Sequence, residues 1–218
     1  MPDLNRFHGY AAARRRGTAP GSRDAQGNLH PDERQTVAFL DALTGGRGLS
    51  TEFTFQTFDD NKERRDPNRA RVFRATLPGC YDALSTRNRT GAGVFATINE
   101  TRGYSRKAQD VIRVRSYFID KDTPGPLPDL SALPPDIIVA SGRGTHAYWL
   151  ARAGEPLAEF RETQLHLAYA LGTDHTVADL PRVMRLPGFF HMKDPRDPRL
   201  VQLLKPRVAT HLIGGCDE

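Results

Sequence analysis

Two aspartates, Asp120 and Asp122, stand at the end of a strand-like run that begins at Val111. In an extended strand successive side chains alternate between the two faces, so both carboxylates would project from the same face. Carboxylates held side by side repel one another unless a cation lies between them, and hard oxygen ligands suit Mg²⁺ or Mn²⁺. The alternative is a solvated strand end, because a Pro- and Gly-containing turn follows at residues 123–126.

A second group of candidate ligands lies in residues 141–146, where Ser141, Arg143 and His146 surround a turn with two glycines. A hydroxyl, a guanidinium and an imidazole can all bind phosphate, and glycine lets backbone amides approach an anion closely. The alternative is a plain hairpin in which His146 packs against Trp149 or faces water. The density of donors in so short a stretch favours a phosphate site.

A third group combines acidic and basic residues after residue 173. If residues 182–185 are helical, Arg182 and Arg185 share one face, where they could grip a triphosphate. Asp174 could then complete a metal site. Asp179 is the alternative third acid, but Pro181 follows it, and this pattern is typical of a helix cap. The sequence therefore favours Asp174 and keeps Asp179 as the alternative.

Hydrophobic periodicity predicts the elements that position these groups. The predicted helices cover residues 33–43, 82–87 and 155–171. The predicted strands cover residues 51–58, 69–76, 94–100, 111–122, 137–141, 145–150 and 200–204. Hairpins and helices are mixed without regular βαβ alternation, which predicts an α+β fold on a largely antiparallel sheet.

Composition narrows the class of protein. Residues 1–30 are basic and poor in apolar anchors, which predicts a flexible tail before one domain over residues 31–218. The net charge is +5 and the cations are mostly Arg, which favours polyphosphate or nucleic-acid partners. No signal peptide or membrane-spanning run is visible, so we expect a cytoplasmic protein without a membrane partner. Cys80 and Cys216 are too isolated for a disulfide framework or a zinc module.

The three groups together resemble the three motifs of the archaeo-eukaryotic primase superfamily, most closely the primase-polymerase branch of plasmid and phage replication proteins. The motifs are Phe-Ile-Asp-Lys-Asp (118–122), Ser-Gly-Arg-Gly-Thr-His (141–146), and Asp-His-Thr-Val followed by Arg-Val-Met-Arg-Leu-Pro-Gly (174–188). Each motif is weak alone, but their order and the Arg-x-x-Arg-Leu-Pro-Gly signature are specific. The resemblance covers residues 51–204 and implies a catalytic core with an RRM-like sheet, flanked by helices, under the active site.

The resemblance also implies roles for individual residues. Catalysis and metal binding fall to three carboxylates: Asp120, Asp122 and Asp174. Contacts with the triphosphate of the incoming nucleotide fall to five donors: Ser141, Arg143, His146, Arg182 and Arg185.

The implied activity is template-directed nucleotidyl transfer from NTPs or dNTPs by a two-metal site that holds Mg²⁺ or Mn²⁺, with no zinc. The implied partners are a single-stranded or primed DNA template and, because many relatives carry such domains, a replicative helicase or accessory domain.

Two other functions remain as alternatives. A metal-dependent replication-origin nuclease would also use an acidic pair, although the chain has no His-hydrophobic-His motif. A non-catalytic RRM-like module for single-stranded nucleic acid would use Phe53 and Phe55 to stack bases. That second alternative leaves the acidic pair and the Arg cluster unexplained.

Overall fold

The structure is a computed structural model that describes residues 21–61, 63–103, 105–122 and 127–205. This part of the chain contains the α-helices α1 (Glu33–Thr44), α2 (Leu77–Arg89) and α3 (Phe160–Ala170). Its strands are β1 (Ser22–Arg23), β2 (Leu29–His30), β3 (Phe53–Asp59), β4 (Arg71–Ala75), β5 (Ala92–Thr97), β6 (Glu100–Thr101), β7 (Val111–Arg113), β8 (Ser116–Lys121), β9 (Ile137–Ala140), β10 (Thr145–Leu150), β11 (Val183–Arg185), β12 (Phe190–His191), β13 (Arg199–Leu200) and β14 (Gln202–Lys205).

The first four-stranded sheet has the order β11, β5, β3, β4, and every neighbouring pair is antiparallel. Alternate side chains of β3 face the core, so Phe53 and Phe55 are fully buried. Neither ring is accessible to a base, and the expectation that these two residues stack nucleic-acid bases is therefore wrong. Asp60 follows directly after β3 and is also buried.

The second four-stranded sheet has the order β14, β9, β10, β8 and is antiparallel throughout. Strands β9 and β10 form the predicted hairpin, and β10 pairs with β8 so that His146 lies opposite Asp120. Helix α3 is fastened to β8 by the buried side chain of Gln164. Its amide oxygen accepts a hydrogen bond from Phe118 N at 3.2 Å, and its amide nitrogen donates to Phe118 O.

Two glycines allow close contacts that position the predicted motifs. A Cβ at Gly144 would lie 2.1 Å from Lys121 O, so only glycine lets the β9–β10 turn touch the end of β8. Gly188 has a φ of +90°, and a Cβ there would lie 2.1 Å from Asp32 O. The Leu-Pro-Gly turn is thereby held against the start of α1, where Thr36 Oγ1 also donates to Pro187 O at 2.7 Å.

One large cluster of buried side chains joins both sheets and all three described helices. Phe39 of α1 contacts Tyr148 of β10 edge-on, with 5.4 Å between ring centroids. The ring centroids of Phe160 in α3 and Phe118 in β8 lie 6.1 Å apart. The shared core fixes the two sheets against each other and so fixes the motif residues at their edges.

The predicted α+β fold with antiparallel strand pairing is confirmed, although the described strands divide between two four-stranded sheets and three two-stranded ones. Helix α2 begins at Leu77, earlier than predicted, with a proline in its first turn, where the missing N–H costs nothing. The predicted strand over residues 111–122 is broken into β7 and β8 around Arg115. In the part of the chain that the structure describes, no helix is long and apolar enough to cross a membrane.

The segment around Asp179 differs most from the prediction. Residues 182–185 are not helical: Val183, Met184 and Arg185 form β11 and pair with β5, because β-sheet pairing prevails over local helical spacing. Asp179 caps no helix and instead begins a tight turn in which Arg182 N donates to Asp179 O at 3.1 Å. Residues 21–30 of the predicted tail form the β1–β2 hairpin, and the rest of that tail lies outside the described residues.

Candidate active site

Asp120 lies near the end of β8, and its carboxylate is mostly buried, with 18% of the side chain exposed. Its Oδ1 atom has no hydrogen-bond partner among the described residues. Burial and, to a smaller extent, the neighbouring charges of Asp122 and Asp174 raise the pKa of Asp120 to about 7. A buried, unpaired carboxylate oxygen beside two more carboxylates fits a divalent cation.

The other two carboxylates reach Asp120 from different segments. Asp122 is exposed and lies one residue beyond the end of β8. Asp174 follows α3, and its backbone N donates to Asp120 O at 3.2 Å. Its carboxylate accepts hydrogen bonds from Thr176 N and Thr176 Oγ1, both at 2.8 Å. Within the described residues no three acidic, His or Cys side chains already form a compact metal cluster.

Asp179 points to a different partner. Its carboxylate pairs with Arg182, whose guanidinium also donates to Thr176 O and so closes the loop between them. Asp122 and Asp174 both act on the pKa of Asp120, whereas Asp179 is not among the groups that shift it. The choice of Asp174 over Asp179 as the third acid stays a prediction.

His146 is buried directly beside Asp120. Its Nε2 lies 3.5 Å from Asp120 Oδ1, and its Nδ1 lies 3.1 Å from the hydroxyl of Tyr148. Burial and, to a smaller extent, the positive charge of Arg185 lower the pKa of His146 to about 3, so the ring is neutral. If the Tyr148 hydroxyl donates to Nδ1, the ring proton is on Nε2, the nitrogen that faces Asp120. Nε2 is then close to Asp120 Oδ1 without a hydrogen bond to it.

Arg185 is held by a carboxylate that the sequence prediction missed. Its two terminal nitrogens donate to the two oxygens of Asp60 at 2.8 and 2.7 Å, and its guanidinium lies 4.8 Å from the Phe95 ring centroid. Asp60 also accepts from Met192 N at 2.7 Å. The signal that could have identified Asp60 was its position directly after an apolar strand, where an acid needs a partner.

An open cavity of about 810 Å³ lies beside Asp122. Three cationic side chains line it: Arg143 at the exposed tip of the β9–β10 turn, Lys193 and Arg199. Ser141 is buried below that turn and does not line the cavity. Sequence reasoning missed Lys193 and Arg199, because they lie outside the three motifs and only the folded chain brings them beside Asp122. Cations that converge beside an acidic group can hold a polyphosphate.

His191 is a further residue that sequence reasoning missed. It is buried against Gly142, where an added Cβ would lie 2.9 Å from the His191 side chain. Both ring nitrogens lack hydrogen-bond partners among the described residues. Burial and, to a smaller extent, the positive charge of Arg185 lower the pKa of His191 to about 4. The signal for this position was a histidine within an apolar run, a place where histidine requires a reason.

No sequence-family profile and no curated protein matches the chain. Solved structures do match its fold. The AEP domain of the cyanophage S-2L primase-polymerase is 19% identical over 80% of this chain and 90% of that one, with a TM-score of 0.65. The catalytic domain of primase RepB′, in complex with initiator DNA, is 20% identical over 79% of this chain and 86% of that one, with a TM-score of 0.50.

Another structure of primase RepB′ is 18% identical over 78% of this chain and 57% of that one, with a TM-score of 0.51. These matches agree with the resemblance drawn from the three motifs. The chain therefore shares the fold of these primase and primase-polymerase domains.

Proposed function

We propose that the chain is the catalytic domain of a DNA primase-polymerase that performs template-directed, metal-dependent nucleotidyl transfer from NTPs or dNTPs in plasmid- or phage-type replication. One observation carries the proposal: the buried carboxylate of Asp120 lies within electrostatic reach of Asp122 and Asp174, and Asp122 lines a basic cavity, on a fold shared with primases. A fold alone does not determine function, but this combination of charges suits phosphoryl transfer.

The three carboxylates would hold two Mg²⁺ or Mn²⁺ ions, which supply activation of a 3′-hydroxyl and neutralisation of the triphosphate. Arg143, Lys193 and Arg199 line the cavity into which that triphosphate would extend. Their charges would stabilise the negative charge that passes to the pyrophosphate as the bond breaks. Template sequence would be read by base pairing, so the protein's task is positioning.

His146, Arg182 and Arg185 support this site in different ways. His146, which is held by Tyr148, lies beside the Asp120 carboxylate. The charges of Arg185 and Arg182 oppose the increase in the pKa of Asp120 and so favour its ionised form. Phosphate contacts by Ser141, His146, Arg182 and Arg185 stay predictions, and the contacts of both arginines with carboxylates leave fewer of their donors for phosphate.

DNA is the proposed template partner. One of the matched proteins, primase RepB′, is in complex with initiator DNA, and the basic character of this chain suits the same class of partner. A replicative helicase or accessory domain remains a proposed partner from the motif resemblance.

The test is incubation with labelled NTPs or dNTPs on single-stranded and on primed template, with Mg²⁺, Mn²⁺ or chelator. We expect templated products that depend on a divalent metal. Products on the primed template alone would identify an extending polymerase, and products without primer would identify a primase. Shortening of end-labelled template would favour the nuclease alternative, and binding without either reaction would favour the non-catalytic module; both results contradict the proposal.

A further inference from the structure

A second basic cavity, of about 230 Å³, lies apart from the candidate active site. Three arginines line it: Arg23 from β1, Arg64 from the loop after β3, and Arg89 from the end of α2. No acidic residue is among its lining residues. Neither the three motifs nor the proposed reaction accounts for this cluster.

Three acids lie close to this cavity without being among its lining residues: Asp24, which accepts hydrogen bonds from Asn28 at 2.8 and 2.9 Å, Asp59 and Asp66. Asp59 pairs with Arg64 at 2.7 Å and lies 3.9 Å from Arg69, which also approaches Asp66 at 3.3 Å. The hydrogen bonds from Arg64 hold the pKa of Asp59 well below its usual range, so this acid is ionised. Only 3% of its side chain is exposed, so it fixes Arg64 from behind. The charges of Arg23 and Arg89 are then without a neighbouring acid in the lining.

A glycine turn brings like charges together at this cavity. Gly91 has a φ of +103°, and a Cβ there would lie 3.0 Å from Arg64 Nη2 and 3.2 Å from Arg69 Nη1. Two guanidinium groups therefore converge over a turn that carries no side chain. Arg89 adds a third, oriented by the hydrogen bond from its Nε to Leu29 O at 2.8 Å. Asp59 pairs with Arg64 but stays outside the lining, so the cavity wall is formed by the guanidinium groups of Arg23, Arg64 and Arg89, which suit a phosphate.

One short segment connects this cavity with the candidate active site. Met192 and Pro195 line the second basic cavity, whereas Lys193 lines the cavity beside Asp122. Met192 N is held by Asp60, which in turn holds Arg185. The two cavities thus lie on either side of residues 192–195. One strand of nucleic acid can reach both, since its phosphates repeat every few ångströms.

We infer that the second basic cavity binds backbone phosphates of the single-stranded DNA whose reacting portion lies at the candidate active site. The inference rests on the proposed function for the identity of the strand. Free nucleotide has the same phosphate chemistry, but the 810 Å³ cavity beside Asp122 already offers a nucleotide site next to the carboxylates. The second cavity is smaller and has no such acid in its lining.

The test compares Arg23→Gln with Arg161→Gln in the whole chain. The Arg23 guanidinium makes no hydrogen bond or ion pair within the described residues, so its loss should not affect folding. Arg161 is an exposed arginine on α3 that lines neither cavity. Fluorescence anisotropy with a labelled single-stranded oligonucleotide, without nucleotide or metal, gives the Kd at several salt concentrations.

For Arg23→Gln we expect a Kd weakened roughly 3- to 10-fold and a salt slope reduced by about 0.7, the value for one phosphate contact on a single strand. Arg161→Gln should change neither. Arg89→Gln should act in the same direction as Arg23→Gln, with its thermal unfolding measured because Arg89 also holds Leu29. Binding of inorganic triphosphate should be the same in all three variants.

Unchanged DNA affinity and salt slope in both Arg23→Gln and folded Arg89→Gln would overturn the inference. Weakened binding of triphosphate with DNA binding retained would overturn it as well, because the ligand would then be a nucleotide. The DNA measurement needs no turnover. If the chain incorporates no nucleotide but Arg23→Gln still weakens DNA binding, the proposed function is contradicted. The inference that the second basic cavity binds DNA is then still supported.

Discussion

Arg143 and Arg185 both match the phosphate-binding pattern of the sequence, yet the structure gives them opposite environments. Arg143 is exposed at the tip of the β9–β10 turn and lines the cavity beside Asp122. Arg185 lies on β11 with both terminal nitrogens bound to Asp60 and its face over Phe95. An arginine whose donors are satisfied by a buried acid stabilises the fold, whereas one at an open cavity is available to a ligand.

The comparison of Arg143 with Arg185 predicts the largest effect at the buried ion pair of Arg185 and Asp60. Arg185→Met removes the partner of Asp60, whose side chain is 2% exposed, and leaves a buried charge unpaired. We expect the free energy of unfolding to fall by about 3–5 kcal/mol. Urea denaturation measures it. The double variant Arg185→Met with Asp60→Asn should recover part of the loss. A single variant as stable as the wild type would show that Asp60 does not depend on Arg185.

The second-largest predicted effect is the contribution of Asp120 to the pH dependence of the free energy of unfolding. In metal-free buffer the folded chain retains a proton on Asp120 that the unfolded chain releases, because its pKa is raised from 3.8 to about 7. The free energy of unfolding should therefore fall as pH rises through this range. Asp120→Asn removes this pH dependence from the free energy of unfolding. The variant should be more stable than the wild type above pH 7, by about 4 kcal/mol at most.

The same variant provides the metal control for this prediction. Mn²⁺ should raise the Tm of the wild type above pH 7, because it neutralises the carboxylates, and should raise that of Asp120→Asn much less. His146 and His191 also titrate differently in the folded chain, since burial lowers the pKa of each. Both remain in the variant, so their contribution largely cancels. If the free energy of unfolding depends on pH in the same way in the wild type and in Asp120→Asn, burial does not raise the pKa of Asp120.

Arg143→Ala tests whether the arginine exposed at the open cavity binds a nucleotide. Stability should change by about 0.5 kcal/mol or less, as is usual at exposed positions. Affinity for nucleotide should weaken about tenfold or more, since a charge-assisted hydrogen bond contributes roughly 1.5–3 kcal/mol. Calorimetric titration with a nucleotide measures the affinity, with Arg161→Ala as the matched control. Equal affinities of the two variants would remove Arg143 from the nucleotide site.

The smallest effect is expected at Asp179. Half of its side chain is exposed, at 51%, and it pairs with Arg182 at the surface. Asp179→Asn should cost about 1 kcal/mol or less and should retain most of the nucleotide incorporation. Asp174→Asn should lose incorporation. If the two variants exchanged these results, Asp179 and not Asp174 would be the third acid.

The sequence predicted elements well where periodicity was strong. The hairpin around Gly144 and the helix at residues 155–171 correspond to β9, β10 and α3, because their apolar faces and turn residues agree. Residues 182–185 show why local spacing can mislead. The Arg-x-x-Arg spacing fits a helix, but pairing with β5 is a long-range contact that no local pattern contains.

The sequence predicted candidate residues of the site, but it predicted only some of the side chains that lie next to them in the folded chain. Asp122 and Asp174 lie near enough to Asp120 to raise its pKa, and the metal-binding role of the three acids stays a prediction. Asp60 lies 125 residues from Arg185 in sequence, and nothing near either residue indicates the other. Lys193 and Arg199 were missed for the same reason: their role comes from the cavity that the folded chain creates around Asp122.

The central claim is that the carboxylates at the end of β8 support nucleotidyl transfer. The most direct measurement compares the wild type with Asp120→Asn in extension of a primed template of known sequence, with Mn²⁺ and labelled dNTPs. We predict templated products from the wild type and a loss of about 100-fold or more in the variant, as expected when a group that stabilises transition-state charge is removed. Equal extension by the two proteins, or none by the wild type, would contradict the account.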